Sequence, residues 1–106
     1  MMKSTEIEKQ VVQHLSKDFY LDNDQFLPLP ADTGELKNKL KKIIEHLLQA
    51  DFERLLNAMY RLDIDETRFK SLLSGVHGND VSGKLAEIVI ERELQKIETR
   101  MKFKND

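Results

Sequence analysis

The chain of 106 residues contains no cysteine, which excludes disulfides, thiolate metal sites and a cysteine nucleophile. No apolar run approaches the roughly 20 residues that a membrane span needs. The N-terminal stretch MMKSTEIEKQ lacks the apolar core of a signal peptide, so the chain is expected to be cytoplasmic. Charge of one sign is also missing: 17 Lys plus Arg stand against 19 Asp plus Glu, a net charge of -2. That balance gives no general attraction to phosphate backbones or anionic membranes, so neither nucleic acid nor a membrane is the expected partner. No stretch alternates apolar and polar residues over strand length, and no segment repeats at a fixed period.

What is present is a composition of 40% hydrophobic and 34% charged residues, that of a folding chain with a well-charged surface. Its length suits one domain, residues 1 to 106. So small a domain buries only roughly two thirds of the surface of its unfolded chain, and self-association would add to a modest core.

Helical periodicity dominates. Thr5 with Glu8 forms a capping box before the stripe Ile7, Val11, Val12, Leu15, and a first helix is expected to end near Lys17. From Asp18 to Ala31, two prolines and an Asp-Asn-Asp run interrupt the strongly apolar Phe19, Tyr20, Leu21, Phe26, Leu27 and Leu29. This reads as an extended connection packed over the helices. Asp32 with Glu35 gives a second box ahead of Leu36, Leu40, Ile43, Ile44, Leu47 and Leu48. The pattern continues through Phe52, Leu55, Leu56, Met59 and Leu62, but its apolar centre drifts by roughly a quarter turn at about 100° per residue. A break near Ala50 is therefore predicted, with Asp51 capping a new helix. Asp65 caps a short helix, stapled by Ile64 and Phe69, that stops at Gly75. The last helix starts near a capping Ser82 and turns Leu85, Ala86, Val89, Ile90, Leu94, Ile97 and Met101 to one side. Lys84, Glu87, Glu91, Gln95 and Glu98 take the other. The reading is an all-α bundle of four to five helices with an extended N-terminal connection.

Several motifs fall short of chemistry. GNDVSGKL, Gly78 to Leu85, approaches the phosphate-loop pattern, but Leu85 stands where the magnesium ligand belongs and no strand precedes it. Ser74, His77 and Asp80 are the residue types of a hydrolytic triad, yet one glycine-bearing loop does not hold three groups rigidly. Asp22-Asn23-Asp24 lacks the alternating ligands and glycine of a calcium loop. His14 and His46 lack a second histidine at helical spacing, so no metal and no cofactor is expected.

Charges on the apolar side are more informative. Glu93 and Arg100 project within about 50° of the centre of the apolar sector of the last helix, and Arg54, Asn57 and Arg61 share one stripe of an earlier one. Burying charge is costly unless it is paired. A polar cluster of Glu93 and Arg100 with Arg54 or Arg61 and Asp63 or Asp65 is therefore expected, fixing helix register, forming a dimer interface, or holding an anionic ligand.

DFERLLNAMYRLDIDETRF, Asp51 to Phe69, and AEIVIERELQKIETR, Ala86 to Arg100, together resemble a family of small all-helical bacterial proteins of unknown function. In that family a leucine-rich helix leads into a Tyr-Arg-hydrophobic-Asp turn. The resemblance covers about half of the chain and implies a stand-alone small protein, with no activity, cofactor or partner attached.

The leading expectation is a non-enzymatic interaction or regulatory domain whose partner is a protein, possible self-association included. One alternative is a helix-turn-helix regulator built on residues 51 to 62 and 65 to 74, against which stand the net charge and the acidic DIDE. Another is a binder of small anions using Arg54, Arg61 and Glu93.

Overall fold

The computed structural model describes residues 4–21, 32–74 and 80–104, with side chains from Glu6 to Met101 within those spans. The expected extended connection, the Asp-Asn-Asp run and the segment from Gly75 to Asn79, including His77 and Gly78, lie outside the described residues. Among the described residues there are five helices and no strand: α1 Ser4–Asp18, α2 Thr33–Ala50, α3 Phe52–Arg61, α4 Glu66–Leu73 and α5 Val81–Lys104.

Local chemistry explains where α2 to α5 begin. Asp32 accepts from the Glu35 N–H at 2.9 Å and opens α2, supplying a partner to one of the donors a first turn leaves unpaired. Asp65 accepts from the Thr67 N–H at 3.0 Å and opens α4. Asp51 serves two helices: its N–H donates to the Leu47 carbonyl at 2.9 Å, and its carboxylate accepts from the Arg54 N–H at 3.3 Å. The predicted break at Ala50 is thus a junction of a single residue. At α5 the expected cap is displaced. Asp80, not Ser82, accepts from the Gly83 N–H at 3.2 Å, while the Ser82 hydroxyl donates to Glu45 Oε1 at 3.1 Å. The Asp80 carboxylate is held there by Lys41 at 3.2 Å.

Two helix ends close without glycine. After α1, the Leu21 N–H donates to the Ser16 carbonyl at 2.8 Å and the Tyr20 N–H to that of Lys17 at 3.4 Å. After α3, Ile64 and Asp63 bond back to Met59 and Tyr60, both at 3.1 Å. Both are paired closures that need a left-handed residue, and Tyr20 at φ 54° and Asp63 at φ 60° supply it.

Helix α5 packs on α1, α2 and α4, and α3 packs on α2. Leu85, Ala86 and Val89 of α5 meet Leu36, Leu40 and Ile44 of α2 in a fully buried core, extended by Val11, Leu15 and Phe19 from α1 and Leu55, Ala58 and Leu62 from α3. Lys84, Glu87, Glu91, Gln95 and Glu98 are exposed, as their spacing predicts. No helix among the described residues is long and apolar enough to cross a membrane.

Candidate functional site

Glu93 follows from its position on the apolar side of α5: its side chain is 0% exposed. Its partner is Asp18, the last residue of α1 and itself buried. Lys96, one turn further along α5, places Nζ 3.5 Å from Glu93 Oε1 and 3.6 Å from Asp18 Oδ2, at ion-pair distance. Neither carboxylate oxygen of Glu93, nor Asp18 Oδ2, receives a hydrogen bond from an N–H or hydroxyl donor. Two buried carboxylates with one ammonium would leave an uncompensated charge. A proton solves the problem. Burial, then the neighbouring Asp18 carboxyl, raises the Glu93 pKa from 4.5 to about 8 against the opposing pull of Lys96. At neutral pH Glu93 therefore keeps its proton.

More groups gather around the same helix end. Arg61 Nη1 donates to the Asp18 carbonyl at 2.7 Å, satisfying a carbonyl of the last turn, and its guanidinium lies 3.9 Å from the Tyr20 ring centroid. The contact lies beside the left-handed turn that Tyr20 makes. On the outer side, Arg100 Nη1 lies 3.5 Å from His14 Nε2. Since arginine can only donate, the imidazole accepts. Burial first, then Arg100 and Lys96, lower the His14 pKa below 6.5. His14, Lys17, Asp18, Lys96 and Arg100 line an open cleft of about 300 Å³ over the carboxyl pair.

Of the six residues named for the predicted cluster, Arg61, Glu93 and Arg100 come to the end of α1. Asp18, which is part of no periodic pattern, is the member the sequence reading missed. Arg54 stays local, with Nε 3.5 Å from Asp51 Oδ2. Asp63 is exposed and makes the turn after α3, and Asp65 caps α4. Arg100, expected to be partly buried, is exposed. Helix α5 is about 36 Å long at 1.5 Å per residue, and its last turns, where Met101 is 37% exposed, are only partly covered. Among the described residues no three His, Cys, Asp or Glu converge to hold a metal ion.

The second distinctive surface is on α3. Phe52, Leu56 and Tyr60 recur every four residues, with Phe52 39% and Tyr60 62% exposed and Leu56 half-buried. The Phe52 ring stacks on Phe69 of α4 at 6.3 Å between centroids and 17° between planes, joining the two helices into one aromatic face. No protein-family model, no curated protein and no solved structure matches the chain.

Proposed function

We propose that this chain is a non-enzymatic interaction domain that self-associates through the outer face of α3 and the adjoining edge of α4. The observation carrying the proposal is the stripe Phe52, Leu56, Tyr60, continued by the stacked Phe69. Large aromatics are the residues most enriched at the centres of protein interfaces, and here Phe52 and Tyr60 are exposed while Phe69 beneath Phe52 belongs to the core. A second copy fits this face. Two antiparallel copies related by a two-fold axis near Leu56 set Phe52 of each opposite Tyr60 of the other and oppose the helix dipoles.

The face is small. Ten residues make a helix about 15 Å long, short of the roughly 800 Å² per partner of a stable interface. The dimer is accordingly weak, with a Kd on the order of 10 to 100 µM. Light scattering from about 5 to 500 µM tests this against Tyr60→Lys, a change at an exposed position that leaves the core intact. The expected result is a mass rising from one chain towards two in the native protein and staying at one chain in the variant, with equal thermal melts. A single-chain mass at every concentration, or a dimer indifferent to Tyr60→Lys, would remove the proposal.

A further inference from the structure

The lysines of α2 divide into two sets. Lys37 pairs with Glu87 at 2.6 Å and Lys41 with Asp80 at 3.2 Å, both on the side of α5. Lys39 and Lys42 point elsewhere, and neither forms an ion pair among the described residues. Together with Arg54 they rim a cleft of about 410 Å³ whose apolar wall is Leu21, Ile43 and Leu47. His46 completes the lining, and among the described residues no acidic side chain is part of it. Lys39 and Arg54 are half-buried, so their charges are less screened than those of freely solvated lysines. In a chain of net charge -2, the charged residues described in this lining are all basic, with Asp51 reaching Arg54 from outside it at 3.5 Å.

We propose that this cleft binds a small amphipathic anion: a phosphate or carboxylate head between Lys39, Lys42 and Arg54, and a short apolar group against Leu21, Ile43 and Leu47. The volume falls within the range of small-molecule sites, roughly 300 to 1,000 Å³, and an apolar wall with a few placed polar groups is their usual chemistry. Lys39, Lys42, Ile43, His46 and Leu47 lie at helical spacings of three and four, so one face of α2 presents both the charge and the apolar surface. The site uses no residue of the α3 stripe, so it stands or falls independently of self-association. Of the arginines expected to hold an anion, Arg54 alone lines this cleft, its Nε 3.5 Å from Asp51 Oδ2; Arg61 donates to the Asp18 carbonyl.

The test is calorimetric titration with octyl phosphate below its micelle concentration, with octanol and inorganic phosphate as the separated tail and head. The expected result is one site per chain, with a Kd on the order of 0.1 to 1 mM for about 13 heavy atoms. Octanol and phosphate should each bind at least about tenfold more weakly. Lys39→Gln with Lys42→Gln should weaken octyl phosphate binding by about tenfold or more, whereas Lys70→Gln, remote on α4, should not change it. The proposal is overturned by no binding to about 10 mM, by equal binding to the double variant, or by phosphate binding as tightly as octyl phosphate. It is likewise overturned if vesicles containing an anionic phospholipid bind while monomeric octyl phosphate does not, which would make the face a membrane contact.

Discussion

Replacing Glu93 by Gln should abolish most of the loss of stability that the native protein shows between pH 6.5 and 8. The sign follows from where the proton sits. Unfolded, Glu93 releases its proton near 4.5; folded, it keeps it until about 8. Between those values the folded state binds one more proton than the unfolded chain, so stability falls as pH rises, by about 1.4 kcal/mol per unit. Over the 1.5 units from 6.5 to 8 that amounts to about 2 kcal/mol, or a drop in Tm on the order of 10 °C for a domain of this size. His14 acts in the opposite sense and mainly below 6.5, since its folded pKa is lowered, and it is the same in both proteins, so it cancels in their comparison. An amide keeps the shape of the neutral acid and cannot ionise. Thermal denaturation followed by circular dichroism at several pH values would therefore give a steep native profile and a flat Glu93→Gln profile, nearly coincident at pH 6.5 and well separated at pH 8. Parallel profiles for the two proteins would refute the idea that the Asp18–Glu93 pair holds a proton.

Further outcomes follow from the described geometry. Asp51→Ala removes the side-chain acceptor that opens α3 and should cost about 1 kcal/mol in denaturant unfolding, with no change in the slope. Asp63→Gly relieves a positive φ at an exposed turn and should stabilise by up to about 1 kcal/mol, whereas a loss of stability would show that the Asp63 side chain does more than make the turn. In a proton NMR titration His14 should have its midpoint below 6.5, and Arg100→Gln should move it upward. Ile44→Ala, at a fully buried position, should cost roughly 2 to 5 kcal/mol by chemical denaturation.

The parts of this fold that were legible in the sequence are those governed by neighbours along the chain. Asp32, Asp51 and Asp65 each reach a backbone N–H two or three residues ahead, so their capping is readable without the rest of the molecule. The burial of Glu93 was likewise readable, because helical geometry alone places it among Leu85, Val89 and Ile97. Its partner was not: Asp18 lies 75 positions away, and only the packing of α1 on α5 brings them together. Helix ends closed by Tyr20 and Asp63 carried no glycine to announce them. Asp80 and Ser82 were both suitable caps for α5, and the choice was made by Lys41 and Glu45 of another helix. The division of the α2 lysines into paired and unpaired sets is invisible in the run KNKLKK, since it depends on which side α5 occupies.

The junction at Asp51 has a consequence for how the chain can change its length. Ordinary connections absorb added residues at little cost because slack is taken up in solvent. Here one residue closes α2 and opens α3, leaving no slack. Each residue inserted into helical backbone at this point would turn everything beyond it by about 100°. Leu55, Ala58, Met59 and Leu62 would swing out of the core and Arg54, Asn57 and Arg61 would swing towards it. The point between Ala50 and Phe52 therefore behaves as a reading frame for the fold: substitutions are tolerated according to their side chains, whereas a single insertion or deletion scrambles every assignment downstream until α4.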